Sequence, residues 1–344
     1  MYTRNKEALQ PMTTRSTRLS ILDLAPVMEG KTPADSFRNS IDLAQHAEKW
    51  GYHRYWLAEH HNSLGVASSA TSLIIGQVAA NTTKIRVGSG GIMLPNHAPL
   101  AIAEQFGTLE SMFPGRIDLG LGRATGADPS AIRALQRGLT KDSADFPLQL
   151  NELRSYFNPA IGGAAPGVRA VPGEGLDIPI ILLGSSDFSA QLAGQLGLPF
   201  GFASHFAPDY LLQALELYHR KFRPSAALES PYVIVGVNVV VAATDQEAEW
   251  LATSQQMQFL SILRGKNGRL QPPTDKLDEM WNAQEKAVVQ GRMLRYSAVG
   301  SPETVRRKLD AIVEQTRADE LIAAGMIYDD QARLRSFELL ADLF

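Results

Sequence analysis

The chain of 344 residues is 44% apolar and 20% charged, enough material for a large buried core and too little charge for disorder. Its 33 basic and 36 acidic side chains leave a formal net charge of −3, which removes any global electrostatic case for a nucleic-acid or membrane-surface partner. The absence of cysteine excludes disulfides, thiolate metal sites and cysteine nucleophiles and fits a cytoplasmic location, and no run approaches the roughly 18 apolar residues of a spanning helix.

The polar start, residues 1–17, is expected to be a flexible arm before a single domain over 18–344. Apolar, β-rich runs then recur at Leu19–Leu24, His53–Leu57, Ile85–Val87, Arg116–Leu121, Ile178–Leu183, Pro199–Ala203, Tyr232–Ala242 and Glu320–Ile327. Helix-like segments separate them. Thr32-Pro33-Ala34-Asp35 places a cap before a proline and an acid at the third helical position, with Phe37, Ile41, Ala44 and Ala47 as the inward stripe and Gly51 as the stop. Thr244 with Glu247 resembles a capping box, and Ser301-Pro302-Glu303 repeats the cap-then-proline start. Eight alternating units predict an α/β fold, a (β/α)8 TIM barrel. Such a barrel needs only about 250 residues. Ala127–Asp177 and Arg264–Tyr296 are therefore read as insertions after strands four and seven, the second as a mobile excursion or closing lid at the mouth.

In a parallel barrel the functional residues follow the strands. Strand two runs into Glu59, His60 and His61, an acid and two imidazoles at the mouth. Neighbouring residues at a strand end point in opposite directions and no H-E-x-x-H spacing occurs, so no metal site is expected. Strand three ends in Gly88-Ser89-Gly90-Gly91, either a bare platform for a flat ring system or a bulge at a barrel corner. Strand four ends in Gly120-Leu121-Gly122-Arg123-Ala124-Thr125-Gly126, one fixed positive charge among small residues. Its glycines read G-x-G-x-x-x-G, which fails as a dinucleotide fingerprint. Strand five passes through Leu183, Gly184, Ser185 and Ser186 into a helix from about Phe188, a pattern that serves an anion site or ordinary helix capping. Strand six delivers Phe202, His205 and Phe206, suited to an apolar substrate, and none of the strand ends inspected carries a lysine for Schiff-base work.

Four ordered motifs, Trp56-Leu57-Ala58-Glu59-His60-His61, Val87 to His97, Phe113 to Arg123, and Gly184-Ser185-Ser186 with Gly197-Leu198-Pro199, resemble the bacterial luciferase-like flavin monooxygenase family over nearly the whole chain after the arm. The resemblance implies a barrel that takes reduced FMN, delivered by a separate flavin reductase, and O2 to form a flavin C4a-peroxide that oxygenates a small apolar or amphipathic substrate. It makes His60 the catalytic imidazole, managing protons, with Glu59 and His61 in support. Gly90-Gly91 matches a non-proline cis peptide beneath the isoalloxazine. Arg123, Ser185, Ser186 and Ser189 match a phosphate site, with Ala124, Thr125, Leu183 and Gly184 beside it. Gly122 stands where the luciferases carry a reactive cysteine, which implies a more open site. A homodimer is the family's default. F420-dependent hydride transfer and non-catalytic flavin binding are the alternative readings.

Overall fold

The computed structural model describes residues 17–124, 126, 128–135 and 145–344. Apart from Thr17, the expected arm lies outside the described residues, and so does Thr125. Ten strands run in chain order: β1 (Arg18–Asp23), β2 (Arg54–Leu57), β3 (Arg86–Ser89), β4 (Ile92–Met93), β5 (Ile117–Gly122), β6 (Ile180–Gly184), β7 (Phe200–Phe202), β8 (Val233–Val241), β9 (Ser297–Gly300) and β10 (Glu320–Ala324). Eight of them form a closed parallel ring in the order β1-β2-β3-β5-β6-β7-β8-β10, sealed where Arg18 of β1 and Ile234 of β8 both pair with Glu320. This is the expected (β/α)8 barrel. The two strands absent from the sequence reading lie outside the ring: β4 extends the β5 edge, Ile92 opposite Leu121, and β9 pairs with the upper half of β8.

The helices are α1 (Pro33–Lys49), α2 (Thr71–Ala80), α3 (Pro99–Met112), α4 (Pro129–Leu135), α5 (Phe146–Phe157), α6 (Asp187–Leu196), α7 (Leu211–Lys221), α8 (Asp245–Leu263), α9 (Leu277–Met280), α10 (Ala283–Lys286), α11 (Pro302–Thr316) and α12 (Asp330–Ala341). Thr32 and Asp35 form the reciprocal box that starts α1, as its sequence predicts. The buried face of α1 is rotated from the expected stripe. It consists of Ser36, Ser40, Leu43, Ala44 and Ala47, because two serines bond inward, Ser40 to Asp23 and Ser36 to the Pro26 carbonyl. At α11 the Ser301 side chain makes no capping bond; the Asp245 carboxylate instead accepts the Ser301 N–H at 2.7 Å.

Parts of both insertions pack against the barrel. The first supplies α5, whose Phe146, Leu150, Leu153 and Tyr156 are buried in the layer between strands and helices. The second is tied down rather than standing off as an excursion: Leu270 exchanges backbone hydrogen bonds with Val27 and Glu29, while Leu277, Trp281 and Val289 form a cluster with Met257, Phe259 and Leu260 of α8.

Inside the ring, Leu22, Trp56, Ile181, Ile234 and Ile322 fill the barrel. Below them the floor is ionic. The Arg54 guanidinium lies 2.9 Å from both the Asp118 and the Glu320 carboxylates, and both carboxylates are fully buried. Arg86 and the Trp56 indole also bond Asp118, and Ser20 and Tyr232 bond Glu320, so the buried charges are paired and hydrogen-bonded. This plug closes the N-terminal end and leaves the C-terminal mouth for chemistry. No helix among the described residues is long and apolar enough to cross a membrane.

Candidate active site at the barrel mouth

Glu59, just past the end of β2, is 1% exposed, yet three donors converge on it. Oε1 takes His61 Nε2 at 2.8 Å and His97 Nε2 at 2.9 Å, and Oε2 takes the Met93 N–H at 3.1 Å. Burial alone would raise its pKa, but the two imidazole bonds and the backbone donor outweigh that and hold it at about 2. His61, His97 and Glu59 bring ligand-type atoms within 4.8 Å of one another. Their contacts have the lengths and partners of a hydrogen-bonded triad, in which each ring nitrogen donates to the carboxylate. The triad ties two segments of the mouth together, the loop after β2 and the 93–97 stretch. His97 was part of a motif quoted from the sequence, but its partner lies 38 positions away, and no local pattern announces the contact.

His60 stands apart from the triad. Its backbone N–H bonds the Ser68 carbonyl at 2.9 Å, and burial lowers its pKa, which keeps the imidazole neutral at pH 7. His205, after β7, is pushed to about 4 by burial and by repulsion from His60, and its Nδ1 is a buried atom with no hydrogen-bond partner among the described residues. The mouth thus brings together two neutral imidazoles. Asn238 of β8 holds the His205 carbonyl at 2.6 Å and is itself bonded by Gln255 of α8, neither of which the sequence reading singled out.

The Gly90–Gly91 peptide is cis. A Cβ at Gly90 would lie 2.5 Å from Leu22 Cδ1, and one at Gly91 would lie 2.6 Å from Leu183 Cδ1, so the segment rests as bare backbone directly on the side chains filling the barrel. At Gly122 the structure corrects the expectation of a more open site. The space its side chain would take is filled by the Met93 thioether, 2.8 Å from the Cβ position.

Arg123 leaves β5 with its guanidinium over the Phe188 ring, 4.2 Å from the centroid, and has no carboxylate partner among the described residues. Ala124 is exposed beside it. Across β6, Ser186 is the N-cap of α6 but makes no side-chain capping bond, and Ser185 has no hydrogen bond to any described residue. Unpaired N–H groups, two hydroxyls and an arginine with no acidic partner among the described residues give this corner the donors and charge an anion would take. Ser189 is buried against Gly184, its Oγ only 2.5 Å from where a Gly184 Cβ would sit, so it supports the turn from beneath.

Of the residues read as substrate-lining, His205 reaches the mouth and Phe206 is 52% exposed at its rim. Phe202 does not reach it. It is 1% exposed and meets Phe200 edge-on in the layer between strands and helices, because residues two apart on a strand share a face and Gly201 takes the inward position.

The model of one protein family, described as luciferase-like monooxygenase, matches residues 17–320. A luciferase-like monooxygenase of Escherichia coli K12 is 53% identical over 332 residues, covering 96% of this chain and 98% of that one. The N-acetyl-S-alkylcysteine monooxygenase of Bacillus subtilis is 33% identical over 343 residues, 94% of this chain and 97% of that one. Among solved structures, apo-MsnO8 superposes with a TM-score of 0.88 at 37% identity, covering 95% and 98% of the two chains. The fold alone is shared with an FMN complex of the oxygenating constituent of 3,6-diketocamphane monooxygenase (TM-score 0.70, 21% identity, 94% and 96% covered). It is likewise shared with an F420-dependent secondary alcohol dehydrogenase (TM-score 0.64, 13% identity, 94% and 97% covered).

Proposed function

The chain belongs to the luciferase-like monooxygenase family, and from that premise we propose that it is an FMN-dependent monooxygenase that transfers one oxygen atom to a small apolar or amphipathic molecule. The observation that carries the reading is the arrangement at one rim: an arginine without an acidic partner and two serines without side-chain hydrogen bonds among the described residues, beside a side-chain-free shelf on the barrel filling. Reduced FMN, when bound, supplies the electrons and the activation of O2. The protein's residues do the rest.

Arg123, Ser185 and Ser186 bind the phosphate, with the α6 backbone N–H groups completing the cradle. The Gly90–Gly91 shelf seats the ring system, held from below by Leu22, Trp56 and Leu183. His60 acts as the proton acceptor and donor next to the reacting centre, for which a neutral imidazole at pH 7 is suited. Glu59 does not exchange protons; its low pKa makes it a fixed anion that orients His61 and His97. His205 and Phe206 face the substrate. A separate flavin reductase delivers the reduced cofactor by diffusion.

Monooxygenase relatives at 53% and 33% identity favour oxygen transfer over F420-dependent hydride transfer. Two variants test the assignment. Arg123→Ala is expected to weaken reduced FMN binding roughly 10- to 100-fold, the worth of a charge-assisted hydrogen bond to phosphate. His60→Ala is expected to bind reduced FMN as the parent does while losing about 100-fold or more in oxygen transfer. Unchanged affinity in the first removes the phosphate site, and unchanged turnover in the second removes His60 from the mechanism.

A further inference from the structure

Phe188, the second residue of α6, is a large apolar side chain left 37% exposed at the edge of the mouth. Burial of apolar surface does not account for it, since it belongs to none of the hydrophobic clusters of the barrel. Its ring lies under the Arg123 guanidinium at 4.2 Å, well inside the reach of a cation–π contact.

That contact differs in kind from an ion pair. A carboxylate would engage the guanidinium N–H groups and cancel its charge, whereas contact with a ring face restrains the guanidinium and leaves its N–H donors and its charge available. The nearest acid in sequence follows the same logic. Asp187 sits in the first turn of α6 between Ser186 and Phe188, and its Oδ2 is taken at 2.5 Å by Gln213 of α7 rather than by Arg123.

We infer that Phe188 is a positioning residue that holds Arg123 in its phosphate-binding attitude and thereby sets the preference for FMN over riboflavin. The inference rests on the FMN reading above and adds a residue that neither the motifs nor the family resemblance singles out. It acts through Arg123, so its loss affects the phosphate-bearing form of the cofactor and spares the form without phosphate.

The test is the ratio of dissociation constants for reduced FMN and reduced riboflavin, measured anaerobically on the full chain. The comparison uses the parent, Phe188→Leu, Phe188→Met, Phe188→Tyr and Arg123→Gln. Phe188→Leu and Phe188→Met are expected to weaken FMN binding about fivefold, within the range of a partly exposed cation–π pair, with riboflavin unchanged. Phe188→Tyr keeps the ring and is expected to retain the parent ratio. The inference is overturned if the leucine and methionine variants keep the parent ratio while Arg123→Gln abolishes it, or if they weaken both ligands equally. An unchanged ratio in Arg123→Gln instead overturns the phosphate site itself, and the FMN reading with it.

Discussion

Glu59 keeps a negative charge in nearly complete burial because two histidines and a backbone N–H satisfy it, and that arrangement has a pH signature. Its folded pKa of about 2 lies below the ordinary 4.5, so the unfolded chain binds the proton more tightly. The stabilisation is therefore complete above pH 4.5 and is lost as the pH falls towards 2. Glu59→Gln is expected to cost about 2–3 kcal/mol at pH 7, and denaturant titrations of parent and variant should converge as the pH drops through that window. A pH-independent difference would show that packing, not charge, is at stake. His60 has the complementary signature. Burial lowers its pKa below 6.5, so the acid limb of a step that uses it as a base should have its midpoint below pH 6.5; a midpoint above 6.5 would contradict this. The placement of His60 after strand two was legible in the sequence. The direction of Phe202 was not, since both faces of a parallel barrel strand are apolar and alternation does not say which points inward.

Strands β3 and β5 approach so closely that Gly120 has no room for a side chain: a Cβ there would lie 2.1 Å from the Ser89 carbonyl oxygen. Gly120→Ala is expected to cost at least about 3 kcal/mol or to prevent folding. Gly291→Ala, at a position with nothing within 4 Å of the new methyl, should leave the melting midpoint unchanged or slightly higher. Equal effects in thermal melts would refute the close approach as the reason for glycine at 120. The eight ring strands were readable because each is an apolar run bounded by helix signals. The short strands β4 and β9 were not, because β4 follows β3 with no helix between them and β9 directly follows the second insertion, and the pairing of both is decided by partners distant in sequence. The second insertion misled for a related reason. Its Pro272-Pro273 and basic residues look like a loop, while the contacts that pin it come from the 25–31 segment and α8.

At the scale of the molecule, a closed ionic floor and an open mouth divide the barrel into a structural and a chemical end. The floor was invisible in sequence, because Arg54, Asp118 and Glu320 come from three strands and meet only when the ring closes. Large apolar side chains are also left exposed on the outer layer: Leu73 on α2 and Met112 on α3 are 71% and 63% exposed, and Leu64 in the loop before α2 is 72% exposed. We propose that the chain forms a homodimer through these early helices, since exposed apolar side chains mark association surfaces. Sedimentation should find a dimer that Leu73→Glu with Met112→Glu converts to a monomer, and a monomeric parent would refute it. The oxygen chemistry itself is open to stopped-flow absorbance. The protein is mixed anaerobically with reduced FMN and then with O2. A transient distinct from both reduced and oxidised FMN is expected, and His60→Ala should shorten it about tenfold or more. Direct conversion of demonstrably bound reduced FMN to oxidised FMN, with no transient in the parent, would contradict it.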